Sequence, residues 1–303
     1  MNQPEDGKLS DPDPVFAAID GDSQSPLFEL AASSATRRKP KFRTPDYPIW
    51  TERKGLLVAE YLRLFVYVTH HGTYIDGFAG QQDEANEDSW CARLVLRNAP
   101  NRGELRHFHL FELNELPHAR LRRMVNEERG DRDVNVYRGD FNREVECVLR
   151  PSVLKQTEAT FALLDQRCFE CEWETVQKLA AYKGPHKIEL LYFMPEGWLD
   201  RSMKSAKREQ KLEQIDRWWG GKDWDVLGRV TGPARAELFR RRFEEELGYA
   251  HVDAWQIFDK TEKRTMYYLI HAADHDEAPK FMRRAYRKCV LPPGKRDQLG
   301  FRF

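Results

Sequence analysis

From Trp50 onward, apolar and polar positions fall into blocks with the length and period of secondary structure. Leu56, Leu57, Ala59, Tyr61, Leu62, Leu64 and Phe65 lay a broad apolar face along one helix, with Thr51 placed to cap its start. Seven short apolar runs follow, each about as long as a strand: Thr73 to Phe78, Phe108 to Leu113, Val134 to Tyr137, Phe161 to Asp165, Ile188 to Met194, Val252 to Phe258 and Met266 to Ala272. Between the first five lie helix-compatible stretches, Cys91 to Arg97, Leu116 to Glu128, Asn142 to Leu149 and Glu172 to Tyr182. Strands alternating with helices predict βαβ units and a mainly parallel sheet covered on both faces. The nearly unbroken FALLD and IELLYFM fit strands buried from both sides. Asp259 to Thr265 is too short for a crossover helix, so the last two runs should pair antiparallel. The expectation is an α/β fold with a Rossmann-like seven-stranded sheet, five parallel strands plus an antiparallel terminal pair. A charged helical insertion, residues 200–250, stands between strands five and six and is long enough to lie over the sheet's ligand edge.

Residues 1–45 read differently. They carry six prolines, many Ser and Asp, and no sustained hydrophobic period, as a segment does when it cannot bury enough apolar surface to offset ordering entropy. The division expected is a disordered tail, acidic to Thr36 and basic from Arg37 to Arg43, followed by one domain over 46–303. No run approaches the roughly 18 to 20 apolar residues that span a bilayer, and MNQPEDGKLS lacks the pattern of a secretory signal. Five scattered cysteines do not form a disulfide framework in a chain of 303 residues. A reduced, cytoplasmic protein is the expectation.

In open α/β sheets, ligands bind beyond the carboxyl ends of the strands, near the switch in strand order. Strand one ends in Asp76-Gly77-Phe78-Ala79-Gly80, strand two in Phe111-Glu112, strand three leads into Gly139-Asp140-Phe141, and strand four ends in Asp165-Gln166. Singly, Asp76 reads equally well as a turn or cap residue, Glu112 as the cap of the next helix, and Gly139-Asp140 as a turn. Asp165 is less easily reduced to a cap, because a carboxylate at a buried strand end needs a partner. Together, four carboxylates along one edge suit a ligand with an ammonium group, ribose hydroxyls and an amino-purine, and do not suit a bare pyrophosphate.

The run Trp50 to Lys54, YIDGFAGQQ, FELNE, RGDF, ALLDQRCFECEW and MYYLIHAADH resembles the three-Cys-motif partner protein family, whose fold is that of class I S-adenosylmethionine methyltransferases. The resemblance spans about residues 46–290, with YIDGFAG its most specific piece. It implies S-adenosylmethionine as cofactor, a three-Cys-motif protein as partner, and a set of roles. Asp76 would hold the methionine end, with Gly77, Phe78 and Gly80 in the loop that approaches it; Glu112 would take the ribose hydroxyls. Asp140 would receive the adenine amino group beside Phe141, and Asp165 with Gln166 would face the methyl group and the acceptor. Two places depart from the family pattern: Gln81-Gln82 stands where another glycine is common, and Asp165-Gln166-Arg167-Cys168 where Asp-Pro-Phe-Gly is frequent. In amine-directed methyltransferases an aromatic after this position stacks the target base; here Phe169 or Trp173 is the candidate.

The remaining chemistry is sparser. Cys168 and Cys171 form a CxxC without the further ligands a structural zinc needs, so no metal is expected; Arg167 could lower the pKa of Cys168 towards thiolate chemistry, but the more ordinary reading is a thiol in the loop. His70, His71, His107 and His109 read as surface or cap residues. Formal charge is balanced, 49 bases against 49 acids, yet Arg201 to Arg242 holds 12 bases and 6 acids, and Lys280 to Arg302 holds 8 bases and 1 acid. The first segment also carries Trp218, Trp219 and Trp224, with Trp198 just before it; singly, Trp218 and Trp219 read as core of the inserted helices and the charges as a solvated face, while together, aromatics interleaved with cations can stack bases as phosphates are neutralised. Two main readings result, beside methylation of a small molecule or a protein side chain. One is an S-adenosylmethionine-dependent methyltransferase acting on an amine of a nucleic acid. The other is a non-catalytic nucleic-acid-binding or partner-docking module on a degenerate methyltransferase fold.

Overall fold

The computed structural model describes residues 49–81, 87–98, 105–258 and 264–291. The expected tail, residues 1–45, and Gln82 lie outside them. Seven strands, β1 (Gly72–Asp76), β2 (Leu105–Glu112), β3 (Asp133–Arg138), β4 (Thr160–Leu164), β5 (Glu189–Pro195), β6 (His251–Phe258) and β7 (Thr265–Ala273), form one sheet in the order β3-β2-β1-β4-β5-β7-β6. β3, β2, β1, β4 and β5 are parallel, and β7 runs antiparallel between β5 and β6. This is the expected Rossmann-like seven-stranded sheet, five parallel strands plus an antiparallel terminal pair. The short link between the last two strands leaves them antiparallel neighbours, and β4 and β5 are buried along their whole length.

Helices cover both faces. The helix at the start of the domain, α1 (Ile49–Thr69), begins before Thr51, which therefore lies in its first turn and is not its cap. Its stripe Leu57, Val58, Tyr61, Leu62, Phe65 and Val66 packs with α2 (Cys91–Asn98), α3 (Glu115–Glu128) and the last helix, Ala278–Cys289, into one core against the sheet. Leu191 and Phe193 of β5 point into that core, so Tyr192 between them points to the other face. There it meets Phe239 and Phe243, at ring separations of 5.9 and 5.6 Å. The other face is built from α4 (Phe141–Val148), α5 (Trp173–Ala181) and the insertion helices α6 (Leu199–Arg208), α7 (Leu212–Trp219) and α8 (Pro233–Glu245); the final helix is α9.

The insertion does not stand free over the ligand edge. Trp218 packs on Phe239 and on Phe169, Trp173 packs edge-on against Phe243, and all five are buried. Gly220 ends α7 in the left-handed conformation (φ 79°) with Trp173 lying against it, where a Cβ would come within 2.6 Å of the indole. The RWWGG sequence is thus a helix end fitted to a tryptophan of α5. Arg235 locks the layer to the end of β5. Its fully buried guanidinium bonds Glu196 (3.1 Å), Asp200 (2.7 Å) and the Leu227 carbonyl.

Candidate active site

The sheet reverses its order between β1 and β4, and the loop after β1 straddles that point. The Gly77 amide donates to the Leu163 carbonyl of β4 (3.1 Å), and the Ala79 amide to the Phe111 carbonyl of β2 (2.8 Å). Strand register sets the level of the acids. Asp76 stands opposite Leu110 and Leu163, and Glu112 and Asp165 each lie two residues further along. Arg138 stands opposite Glu112, with Asp140 two residues beyond it. At about 3.3 Å per residue, the strand-end positions differ in level by only a few residues, so Asp76, Glu112, Asp140 and Asp165 gather on one edge.

Asp76 is 1% exposed. Its carboxylate accepts from the Tyr74 hydroxyl (2.9 Å) and the Phe78 amide (3.1 Å). Burial, then the charge of Asp165, raises its pKa to about 7. Asp165 is paired: the Lys54 ammonium of α1 lies 2.5 Å from its Oδ2, with both side chains buried. The rings of Phe193 and Tyr267 flank that ammonium at 5.9 Å each. Lys54, Asp76, Asp165, Phe78, Gly80 and Cys91 line a small cavity at this edge. Its far wall includes Trp90, whose indole donates to the Ala79 carbonyl (2.7 Å).

The end of β2 is similarly close-packed. Glu112 accepts from the Asn114 amide (2.8 Å), and its carboxylate lies where a Cβ on Gly80 would sit, 1.8 Å from that position. Burial raises its pKa, while the Asn114 amide and Arg167 oppose the shift. A Cβ on Gly77 would meet the Phe141 ring at 2.7 Å, so this glycine makes room for Phe141, which is itself buried against Phe78 and Phe111. Asp140 is the N-cap of α4, its Oδ1 accepting from the Asn142 amide and side chain. The cap reading and the site position therefore coexist in one residue.

Burial and ion pairing set several candidate residues apart from the cavity. Gln166 is 1% exposed, its amide spanning the Phe193 carbonyl (3.2 Å) and the Cys171 amide (2.9 Å), so it braces the loop after β4 and does not face the cavity. Phe169 and Trp173 are core residues and are not open for stacking. Burial pushes the Cys168 thiol up to about 12, the opposite of thiolate activation. His109 is buried inside β2, and burial lowers its pKa to about 4. Trp218, Trp219 and Trp224 are at most 5% exposed, so they are not a base-stacking platform. The insertion's bases are largely matched in place: Lys207 with Asp225, Arg217 with Glu172, Arg240 and Arg241 with Glu237, and Arg242 with Glu246.

Lys54 is the site residue missing from the sequence argument. Its signal was present, since position 54 lies on the buried stripe of α1, one turn before Leu57 and Val58. A lysine continuing an apolar stripe calls for a buried acid. The partner, distant in sequence, is decided only by the packing of α1 on the sheet.

The sequence matches no protein-family profile and no curated protein. Among solved structures, it is similar to a protein from Legionella pneumophila at 11% identity and a TM-score of 0.48, over 82% of this chain and 95% of that one. It is similar to an O-methyltransferase from Bacillus cereus in complex with SAH at 13% identity and a TM-score of 0.38, over 84% and 93%. It is also similar to M. jannaschii TYW2 in complex with AdoMet at 12% identity and a TM-score of 0.38, over 71% and 74%. At these values no activity passes from those proteins to this chain, whose chemistry has to be argued from its own residues. Among the described residues, no group of three or more His, Cys, Asp and Glu could hold a metal, and no helix is long and apolar enough to cross a membrane.

Proposed function

We propose that the protein is an S-adenosylmethionine-dependent methyltransferase whose acceptor is an amine of a nucleic acid. The observation that carries this reading is the row of carboxylates Asp76, Glu112, Asp140 and Asp165 at the ends of β1 to β4, astride the reversal of strand order. The donor combines an ammonium, a sulfonium, two ribose hydroxyls and an amino-purine, and carboxylate acceptors suit the first, third and fourth. Asp76 would take the ammonium, Glu112 the hydroxyls and Asp140 the adenine amino group, with Gly77, Phe78, Gly80 and Phe141 shaping the loop. Asp165 would orient the acceptor amine and receive its proton. Methyl transfer needs little beyond alignment of the nucleophile with the methyl carbon and a place for that proton.

Calorimetry with S-adenosylmethionine and with its demethylated product tests the reading. Saturable binding that Asp76→Ala and Glu112→Ala weaken is expected; no binding at millimolar ligand would sink it. Tritiated methyl donor supplied with RNA, DNA, protein and metabolite fractions identifies the acceptor. The polyanionic choice rests on exposed bases, and Arg283 and Arg284 of α9 are exposed with no ion pair among the described residues. α9 packs on α1 near the site: Arg53, next to Lys54, donates to the Val290 carbonyl.

Burial of Gln166, Phe169 and Trp173 favours the second reading, a non-catalytic nucleic-acid-binding or partner-docking module, because the amine-directed signature is then missing in space as well as in sequence. Salt-dependent RNA or DNA binding that needs no donor, together with no donor binding, would select it. A three-Cys-motif protein as partner stays part of the proposal; co-purification with such a protein tests it.

A further inference from the structure

A lysine on the buried stripe of α1 is costly in a way its neighbours are not. Methionine at position 54 would continue the apolar face, whereas the ammonium has to be stripped of water and matched by a charge. Lys54 is 3% exposed, meets Asp165 at 2.5 Å, and lines the same cavity as Asp76. Phe193 and Tyr267 close over it, so the match is made in a dry environment where charges act strongly. Two carboxylates in one dry cavity repel, and a cation between them relieves that repulsion.

We propose that Lys54 is the positioning residue of this site, fixing the Asp165 carboxylate at the cavity wall and supplying the charge that lets Asp165 and Asp76 stand together. The proposal rests on the methyltransferase reading for its catalytic meaning, but the charge relation holds in the protein without any ligand. The groups facing Asp76 are Tyr74 on its own strand, Cys91 at the start of α2, Asp165 beyond β4 and Lys54 of α1. Among the described residues facing Asp76, Lys54 is the cation, so Asp76 reports its presence. Tyr267 of β7 stands against the Lys54–Asp165 pair from the other side. In transfer, an Asp165 held by Lys54 would present a fixed acceptor to the incoming amine; once the C–S bond of the donor breaks and the N–C bond forms, the amine proton passes to that carboxylate and on to solvent.

The test uses the full chain with 13C-carboxyl aspartate and follows the Asp76 resonance, assigned by its loss in Asp76→Asn, through a pH titration. Lys54→Met should raise its midpoint by about one unit or more above the wild-type value, and Lys54→Arg should restore it to within about half of that rise. Lys54→Gln carries the same expectation as Lys54→Met should the latter not fold. An unmoved midpoint in a folded variant overturns the proposal. Where the wild type labels an acceptor fraction, Lys54→Met should lower transfer at saturating donor about 100-fold, with product affinity at pH 8 changed much less; an unchanged rate would also overturn it. A wild type that binds neither donor nor product removes the methyltransferase reading, and the Asp76 midpoint then still decides the role of Lys54.

Discussion

Lys54 of α1 and Asp165 beyond β4 stand 2.5 Å apart with neither side chain more than 5% exposed. Each ion's desolvation is offset by the other, so removing one leaves an uncompensated buried charge. Lys54→Met and Asp165→Asn should each destabilise the protein by about 3 kcal/mol or more. The double variant should lose less than their sum, with a coupling of about 1 kcal/mol or more. Urea denaturation of the four proteins measures it, and additive losses would mean that the pair is not energetically coupled.

Asp76 holds its proton more tightly in the fold, at about 7, than at its ordinary 3.8. Between those values the native state binds more protons than the unfolded chain, so stability falls as pH rises. The contribution of Asp76 is fully present below pH 4 and lost as pH rises through about 7. Asp76→Asn keeps an acceptor for Tyr74 and removes the penalty. It should be more stable than wild type at pH 8, by on the order of 2 to 4 kcal/mol, with the advantage gone near pH 4. Thermal melts at the two pH values decide it.

Gly80 and Glu112 give a way to separate binding from folding. The atoms nearest to a methyl group on Gly80 belong to the flexible side chain of Glu112, so the carboxylate can move aside. Gly80→Ala should keep a wild-type melting temperature to within about 3 °C. Under the methyltransferase reading, it should weaken product binding about tenfold by displacing the ribose acceptor. Calorimetry on the folded variant gives the answer, and unchanged affinity would count against Glu112 as that acceptor.

Arg235 is wholly buried and holds Glu196, Asp200 and the Leu227 carbonyl together. Because Asp200 is half exposed, its share is small, and the loss on Arg235→Met should be about 2 to 4 kcal/mol. Hydrogen exchange should quicken first in 199–245. Uniform quickening across the sheet would instead indicate that the insertion is not a separate unit of local opening.

Charge reversal locates any polyanion surface. Under the nucleic-acid reading, Arg283→Glu with Arg284→Glu should weaken RNA binding and shallow its salt dependence by about two ions. Arg240→Glu with Arg241→Glu, whose partners in the wild type are Glu237 and Glu244, should do less. Fluorescence anisotropy over a salt series distinguishes them.

Strand and helix positions were legible because burial on both faces writes unbroken apolar runs, as in TFALL and ELLYFMP, and because short links restrict pairing. The four carboxylates were legible because strand ends in an open sheet are where ligands go. Gln166, Phe169 and the tryptophans of the insertion stay ambiguous in sequence for one shared reason. A polar or aromatic residue near a ligand edge has the same appearance in sequence whether it faces the ligand or the core. The insertion's positive balance is ambiguous in the same way, since a count of charges does not show that Arg217 reaches Glu172 or Arg242 reaches Glu246.

The sequence by itself determined the sheet, its strand ends and the acids that stand on them, because these follow from local period, chain connectivity and strand length. Only the tertiary structure decided which charges neutralise one another. That Lys54 reaches Asp165, that Glu112 folds over Gly80 and that Arg235 ties the insertion to β5 depend on contacts between segments far apart in the chain. Such contacts are set by how helices pack on the sheet, and the apolar period that marks a helix's buried face does not say which distant segment it meets.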